Sequence, residues 1–182
     1  MLKFFSIIIF LIITFNANAN NNEKIIENLK NTDSLDFNFE QNTNGKKEKG
    51  NCTIEYPKKI FCQYSKSNNK ILVSNGKSLV IKTQTSYYRY PLNKTPLNLI
   101  LDKDYLISKI YNLTGRTIDN NLITYKILDN DNELSIFFNK KTYDLVGWQN
   151  IDLYQNFNIT FISVIKKNRV PPKDLFEIPI QN

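Results

Sequence analysis

At 182 residues, with 24 Lys and Arg against 17 Asp and Glu, the chain carries a formal charge of +7 and no histidine. The missing histidines exclude Ser-His-Asp triads, Cys-His dyads and His-based metal sites, and five scattered glycines form no phosphate-cradling loop. The basic residues fall in short pairs such as Lys46-Lys47, Lys58-Lys59 and Lys166-Lys167 rather than in a stripe, so no nucleic-acid partner is expected and the charge goes with the Asn-, Ile- and Lys-rich composition.

Lys3 precedes an apolar run over 4–15, and the only two alanines, Ala17 and Ala19, stand at the minus-three and minus-one positions of a cleavage site. The run is shorter than the roughly 20 residues that cross a bilayer. Residues 1–19 therefore read as a secretory signal peptide, and residues 20–182 as one domain long enough to hold its own core.

Ile25, Ile26 and Leu29 share one face of a short amphipathic helix. From Leu35 the period becomes two, with Phe37 and Phe39 alternating against polar residues, which predicts a strand. A polar hairpin loop is expected over 42–49, then a second strand over 50–56, a turn at Pro57 and a third strand over 60–65. Cys52 and Cys62 lie equally far from Pro57, so antiparallel pairing sets them nearly opposite each other on one face. An exported chain favours a disulfide there, with a pair of buried thiols as the alternative.

Further strands are expected over 70–73, 78–83 and 86–90, with Ser74-Asn75-Gly76-Lys77 as a turn. Thr95-Pro96 signals a helix start by a capping hydroxyl and a proline at the first helical position. Leu97, Ile100 and Leu101 form the apolar face, and Ile107, Ile110 and Tyr111 continue it after a break at 102–104. Strands resume over 122–128, 133–139, 143–150 and 155–165, and residues 175–180 are expected to add an edge strand.

So many antiparallel strands must curl to cover one face, and the few helices are the available cover. Candidates for the inner face are Ile54, Ile60, Tyr64, Leu134, Ile136, Phe138, Phe157, Ile159 and Phe161. Periodicity alone fits either a packed core or an apolar ligand cavity there.

Taken in order, several segments resemble the outer-membrane lipoprotein carrier family, the LolA-type periplasmic chaperones of Gram-negative bacteria. FNFEQ at 37–41 resembles the family's first strand, and GNCTIEYPKKIFCQY at 50–64 its paired strands around a proline turn. ILVSNGK at 71–77 is the closest match, TPLNLIL from Thr95 resembles the lid helix, and Val170-Pro171-Pro172 the terminal proline pair. The resemblance implies an unclosed antiparallel β-barrel with a helical lid over a hydrophobic cavity. It implies a soluble periplasmic carrier, monomeric and without cofactor or catalysis. Such a carrier takes acylated lipoproteins from an inner-membrane ABC transporter to an outer-membrane receptor.

On that pattern Leu97, Ile100 and Leu101 form the lid, Ile54, Ile60, Tyr64, Phe138 and Phe161 line the cavity, and Tyr56 with Pro57 marks its mouth. Leu101→Glu is then expected to impair lipoprotein release while the domain stays folded. Two departures stand out. Well-studied members carry an arginine before the turn proline, implicated in holding and releasing cargo, where this chain has Tyr56, with Lys58 and Lys59 close by. The cysteine pair is not general to the family.

Other readings remain open on sequence. The receptor of the same pathway shares the fold but is lipid-anchored through an amino-terminal cysteine, where this chain has Asn20 after the cleavage site. An open-barrel envelope-stress regulator or a lipid-binding protein would share the architecture. A secreted hydrolase would need a carboxylate pair, and none stands out. The formal glycosylation sequons at Asn93, Asn112 and Asn158 are expected by chance in so asparagine-rich a chain.

Overall fold

The computed structural model describes residues 21–65, 68–118, 121–129, 132–151 and 155–181, so the expected signal peptide and its cleavage site lie outside the described residues. Helix α1 (Asn21–Lys30) leads into strands β1 (Ser34–Thr43), β2 (Lys46–Glu55), β3 (Lys59–Tyr64), β4 (Ile71–Asn75), β5 (Ser78–Lys82) and β6 (Tyr87–Pro91). A 3-10 turn (Leu92–Lys94) and helices α2 (Leu97–Leu101) and α3 (Lys103–Asn112) follow. Strands β7 (Arg116–Ile118), β8 (Leu122–Asp129), β9 (Asn132–Asn139), β10 (Leu145–Ile151) and β11 (Phe157–Lys167) complete the regular structure.

The strands form one antiparallel sheet in the order β6-β5-β4-β3-β2-β1-β11-β10-β9-β8-β7. Every neighbour is next in sequence except β1 and β11, whose pairing joins the two halves of the chain. The edges β6 and β7 do not meet, so the barrel is open. The segment between those edges carries α2 and α3, and their buried residues join the core of the sheet's inner face. The connection is thereby also the cover.

Local chemistry sets the turns. Asn44 and Gly45 both take positive φ, 48° and 91°, the pair of values a two-residue type I′ turn requires, and the Asn42 carboxamide oxygen accepts from the Gly45 N–H at 2.8 Å. The expected loop over 42–49 is therefore a tight hairpin whose strands run on to Thr43 and Lys46. Asp102 ends α2 and starts α3, its carboxylate accepting from the Tyr105 N–H at 3.2 Å. The Thr95 hydroxyl does not cap α2, because it donates at 2.8 Å to the Leu92 carbonyl in the turn behind it.

The core lies between the sheet and the three helices. Ile25, Ile26 and Leu29 of α1, Leu106 and Ile110 of α3, and Ile54, Leu134, Ile136 and Phe138 of the sheet are all buried in one cluster. The Asn22 side chain donates to the carbonyls of Ile110 and Leu113, at 2.9 and 2.7 Å, so that α1 supplies the donors that the end of α3 lacks. Tyr125 donates to the Asn22 carboxamide oxygen at 2.6 Å, and burial pushes its phenol up to about 12. Tyr111, expected on the inner face of α3, is 75% exposed.

The tail forms no strand at 175–180. Pro171, Pro172 and Pro179 each lack the N–H a ladder needs. The tail instead passes over the outer face, where Lys59 sits 5.6 Å above the buried Phe176 ring and Lys82 donates to the Ile180 carbonyl at 2.8 Å.

Candidate functional site

Helices do not fill the concave face throughout. Beside α2, between the inner faces of β1 to β6 and the ends of β10 and β11, lies a cavity of about 330 Å³, at the lower end of the roughly 300–1,000 Å³ common for ligand sites. Its apolar end is built from Ile60, Leu72, Leu79 and Ile81 of the sheet and roofed by Pro96, Leu97 and Ile100. Phe39 and Trp148 form part of its wall.

Cys52 and Cys62 are directly paired across β2 and β3 and joined, with an S–S distance of 2.01 Å, and the bridge lines the cavity. The bonded cysteines are 10 residues apart, which by loop entropy stabilises the fold by about 2.7 kcal/mol. Reduction, or the double change Cys52→Ala with Cys62→Ala, is expected to lower unfolding stability by that order while leaving the protein folded. Urea unfolding with and without reductant checks this, and an unchanged midpoint would show that the bridge constrains nothing.

The opposite end, near the β1–β2 turn, is polar. Tyr64 packs edge-on against Phe39 with ring centroids 4.9 Å apart and donates to the Gln41 carboxamide oxygen at 3.3 Å. Lys70 lies 4.0 Å above the Tyr64 ring and 2.8 Å from Glu48, whose carboxylate also meets Lys46 at 3.8 Å. Burial, and then the Glu48 charge, hold the Tyr64 phenol neutral well above its usual range. Gln41 and Thr43 both donate to the side-chain oxygen of Asn158.

Of the residues expected to line a cavity, Ile60 and Tyr64 do so, and Leu97 and Ile100 face it from the lid. Ile54 and Phe138 do not: they are fully buried in the core with α1 and α3, which occupy that part of the concave face. Phe161 is on the other face altogether, 45% exposed and stacked on Phe137 at 5.8 Å. With it, Phe157 and Ile159 turn outward, while Asn158 and Thr160 turn in. Leu101 has no exposed surface and belongs to the core.

Tyr56 and Pro57 do not border the cavity. The Tyr56 ring packs on the core beneath the Lys103 ammonium, its hydroxyl is buried without a partner among the described residues, and burial raises its pKa. The neighbouring Lys58 makes the contact to the lid: its N–H donates to the Leu101 carbonyl at 2.9 Å and its ammonium lies 2.9 Å from Asp102. Lys59 turns the other way and pairs with Glu55 at 3.0 Å.

Sequence reasoning passed over Leu72, Leu79, Ile81, Trp148 and, Tyr64 apart, the polar end. The unbroken apolar run 79–81 signals a strand but not which parity faces the cavity, and no pattern in the sequence marks the polar groups as neighbours.

The profile of the family described as outer membrane lipoprotein carrier protein LolA matches residues 30–179. Among solved structures, the chain is similar to a LolA superfamily protein from Nitrosomonas europaea, with 11% identity, 86% of this chain and 96% of that one covered, and a TM-score of 0.47. It is also similar to the MucA/MucB complex of Pseudomonas aeruginosa, with 10% identity, 87% and 60% covered, and a TM-score of 0.46. A DUF1329 family protein from Desulfovibrio piger shows 7% identity, 86% and 95% covered, and a TM-score of 0.43. No curated protein matches in sequence.

Proposed function

This chain belongs to the outer-membrane lipoprotein carrier family, and from that premise we propose that it is a periplasmic chaperone that shelters the acyl chains of lipoproteins. In this reading it takes them from an inner-membrane ABC transporter to an outer-membrane receptor. The observation that carries the proposal is the cavity itself, walled by Leu72, Leu79 and Ile81 and roofed by Leu97 and Ile100.

Each methylene moved out of water contributes about 0.8 kcal/mol, so an acylated protein does not cross an aqueous space unaided at a useful rate. A carrier needs an apolar site that opens and closes, and it needs no catalytic group. Helix α2 suits a moving lid because it is only five residues long, carries no side-chain cap and ends at the Asp102 break. Ile100 and Leu101 seat its far end in the core, so the moving part is the Leu97 end, and the ionic tie between helix and sheet is modest. The Lys58–Asp102 pair is partly exposed, at 38% and 25%, which places it in the range of about 1 kcal/mol or less. A weak latch lets cargo leave for a tighter acceptor, as transfer between two partners demands.

The test uses inner-membrane vesicles that hold a labelled lipoprotein and its releasing transporter, incubated with the protein and ATP. A soluble one-to-one complex of protein and lipoprotein is the expected product. Label that stays with the vesicles under conditions where an established carrier releases it rules the proposal out.

A further inference from the structure

Resting on the acyl-sheltering role above, we propose that the polar end of the cavity recognises the carbonyl of an acyl ester. The ligand then lies with its chain under α2 and its ester oxygen between Asn150 and Thr160.

Most polar groups at this end satisfy one another. The Asn158 oxygen already accepts from both Gln41 and Thr43, Tyr64 donates to Gln41, and Lys70 neutralises Glu48. Two groups on the same wall are left over. The Thr160 hydroxyl is buried and has no partner, and Asn150 makes no side-chain hydrogen bond among the described residues. Thr160 is 4% exposed, and its hydroxyl lies at the cavity wall without a bond among the described residues.

The register puts the two together. Asn150 stands opposite Asn158 on the neighbouring strand and Trp148 opposite Thr160, so Asn150 and Thr160 are diagonal neighbours on one face. Such neighbours lie roughly 7–8 Å apart, within reach of one acceptor set between their side chains. Both offer a neutral donor, which an ester carbonyl accepts. The charged groups at this end pair among themselves, Glu48 with Lys70 and Lys46, and stand apart from these two neutral ones. The arrangement therefore selects a neutral acceptor at the head of an apolar chain.

The test compares the palmitate ester of glycerol with the cetyl ether of glycerol, which lacks the carbonyl, by displacement of a fluorescent fatty acyl probe. The native protein is expected to bind the ester about tenfold more tightly, the worth of one to two hydrogen bonds. Thr160→Val keeps the side chain's shape and removes the unpaired hydroxyl, so its thermal midpoint should hold or rise. Thr160→Val and Asn150→Leu should each shrink the ratio of ester to ether affinity. Equal binding of ester and ether to the native protein, or a preference that survives both variants, overturns carbonyl recognition alone. If neither probe binds, the acyl-sheltering role fails first. A diacylglyceryl-cysteine peptide run beside the glycerol ester identifies the source of the carbonyl: tighter binding of the peptide assigns a lipoprotein, and equal binding a free glycerolipid.

Discussion

Leu101→Glu is expected to abolish the folded protein, seen as loss of a cooperative thermal transition and of soluble yield. Leu101 is fully buried in the cluster that contains Ile100, Leu106 and Ile110, and its carbonyl accepts the Lys58 N–H. A carboxylate there would be packed among apolar side chains with no exposed surface. An uncompensated buried charge costs several kcal/mol, and domains of this size hold only about 5–15 kcal/mol in reserve. The milder Leu101→Ala removes the side chain without adding charge and should cost about 2–5 kcal/mol while leaving a folded domain. A Leu101→Glu protein with near-native melting would show that α2 is not seated in the core. The expectation that this variant stays folded thus gives way to the burial of a residue that the family resemblance assigns to the lid.

That reversal shows where sequence patterns carried information and where they did not. Alternation from Leu35, the proline turn and the equal spacing of the two cysteines are local, and the strands and the cysteine pairing follow from them. Strand β11 is different. Its apolar residues occur on both parities, with Phe157, Ile159 and Phe161 on one and Ile162 on the other. The pairing with β1 jumps from Asp36–Lys166 to Asn38–Ser163, so β11 carries an extra residue between Ser163 and Lys166. Ile165 and Ile162 therefore both reach the core, and a strict period of two that starts from Ile165 puts Phe161 on the wrong face. What decides the face is remote in sequence: Asn158 turns in to meet Gln41 and Thr43, and Phe161 turns out to stack on Phe137 beside Gly147.

The same distinction explains the site. The lid helix was legible because Leu97 and Ile100 fall at helical spacing after Thr95-Pro96, and both reach the cavity. Which inner-face residues line open space and which lie beneath α1 and α3 depends on where the helices stop. Ile54 and Ile60 are cross-strand partners with the same alternation, yet only Ile60 reaches the cavity.

Leu97→Glu is expected to separate function from folding. Leu97 is half-buried at the first position of α2 and borders the cavity, so a carboxylate at this position can turn to solvent and the domain keeps its stability to within about 1 kcal/mol. A glutamate in the helix's first turn also sits favourably with the helix dipole. An acyl chain under the lid, however, would desolvate that charge at a cost of about 2–3 kcal/mol, which lowers affinity for a fatty acyl probe roughly thirty- to a hundred-and-fiftyfold. Release of labelled lipoprotein from vesicles should fall with it, while Leu97→Met, which preserves an apolar surface of similar volume, should behave as the native protein. The pair of variants distinguishes a lid that touches cargo from a helix that only completes the core. If Leu97→Glu folds normally and still binds the probe and releases lipoprotein at the native level, cargo does not pass beneath α2.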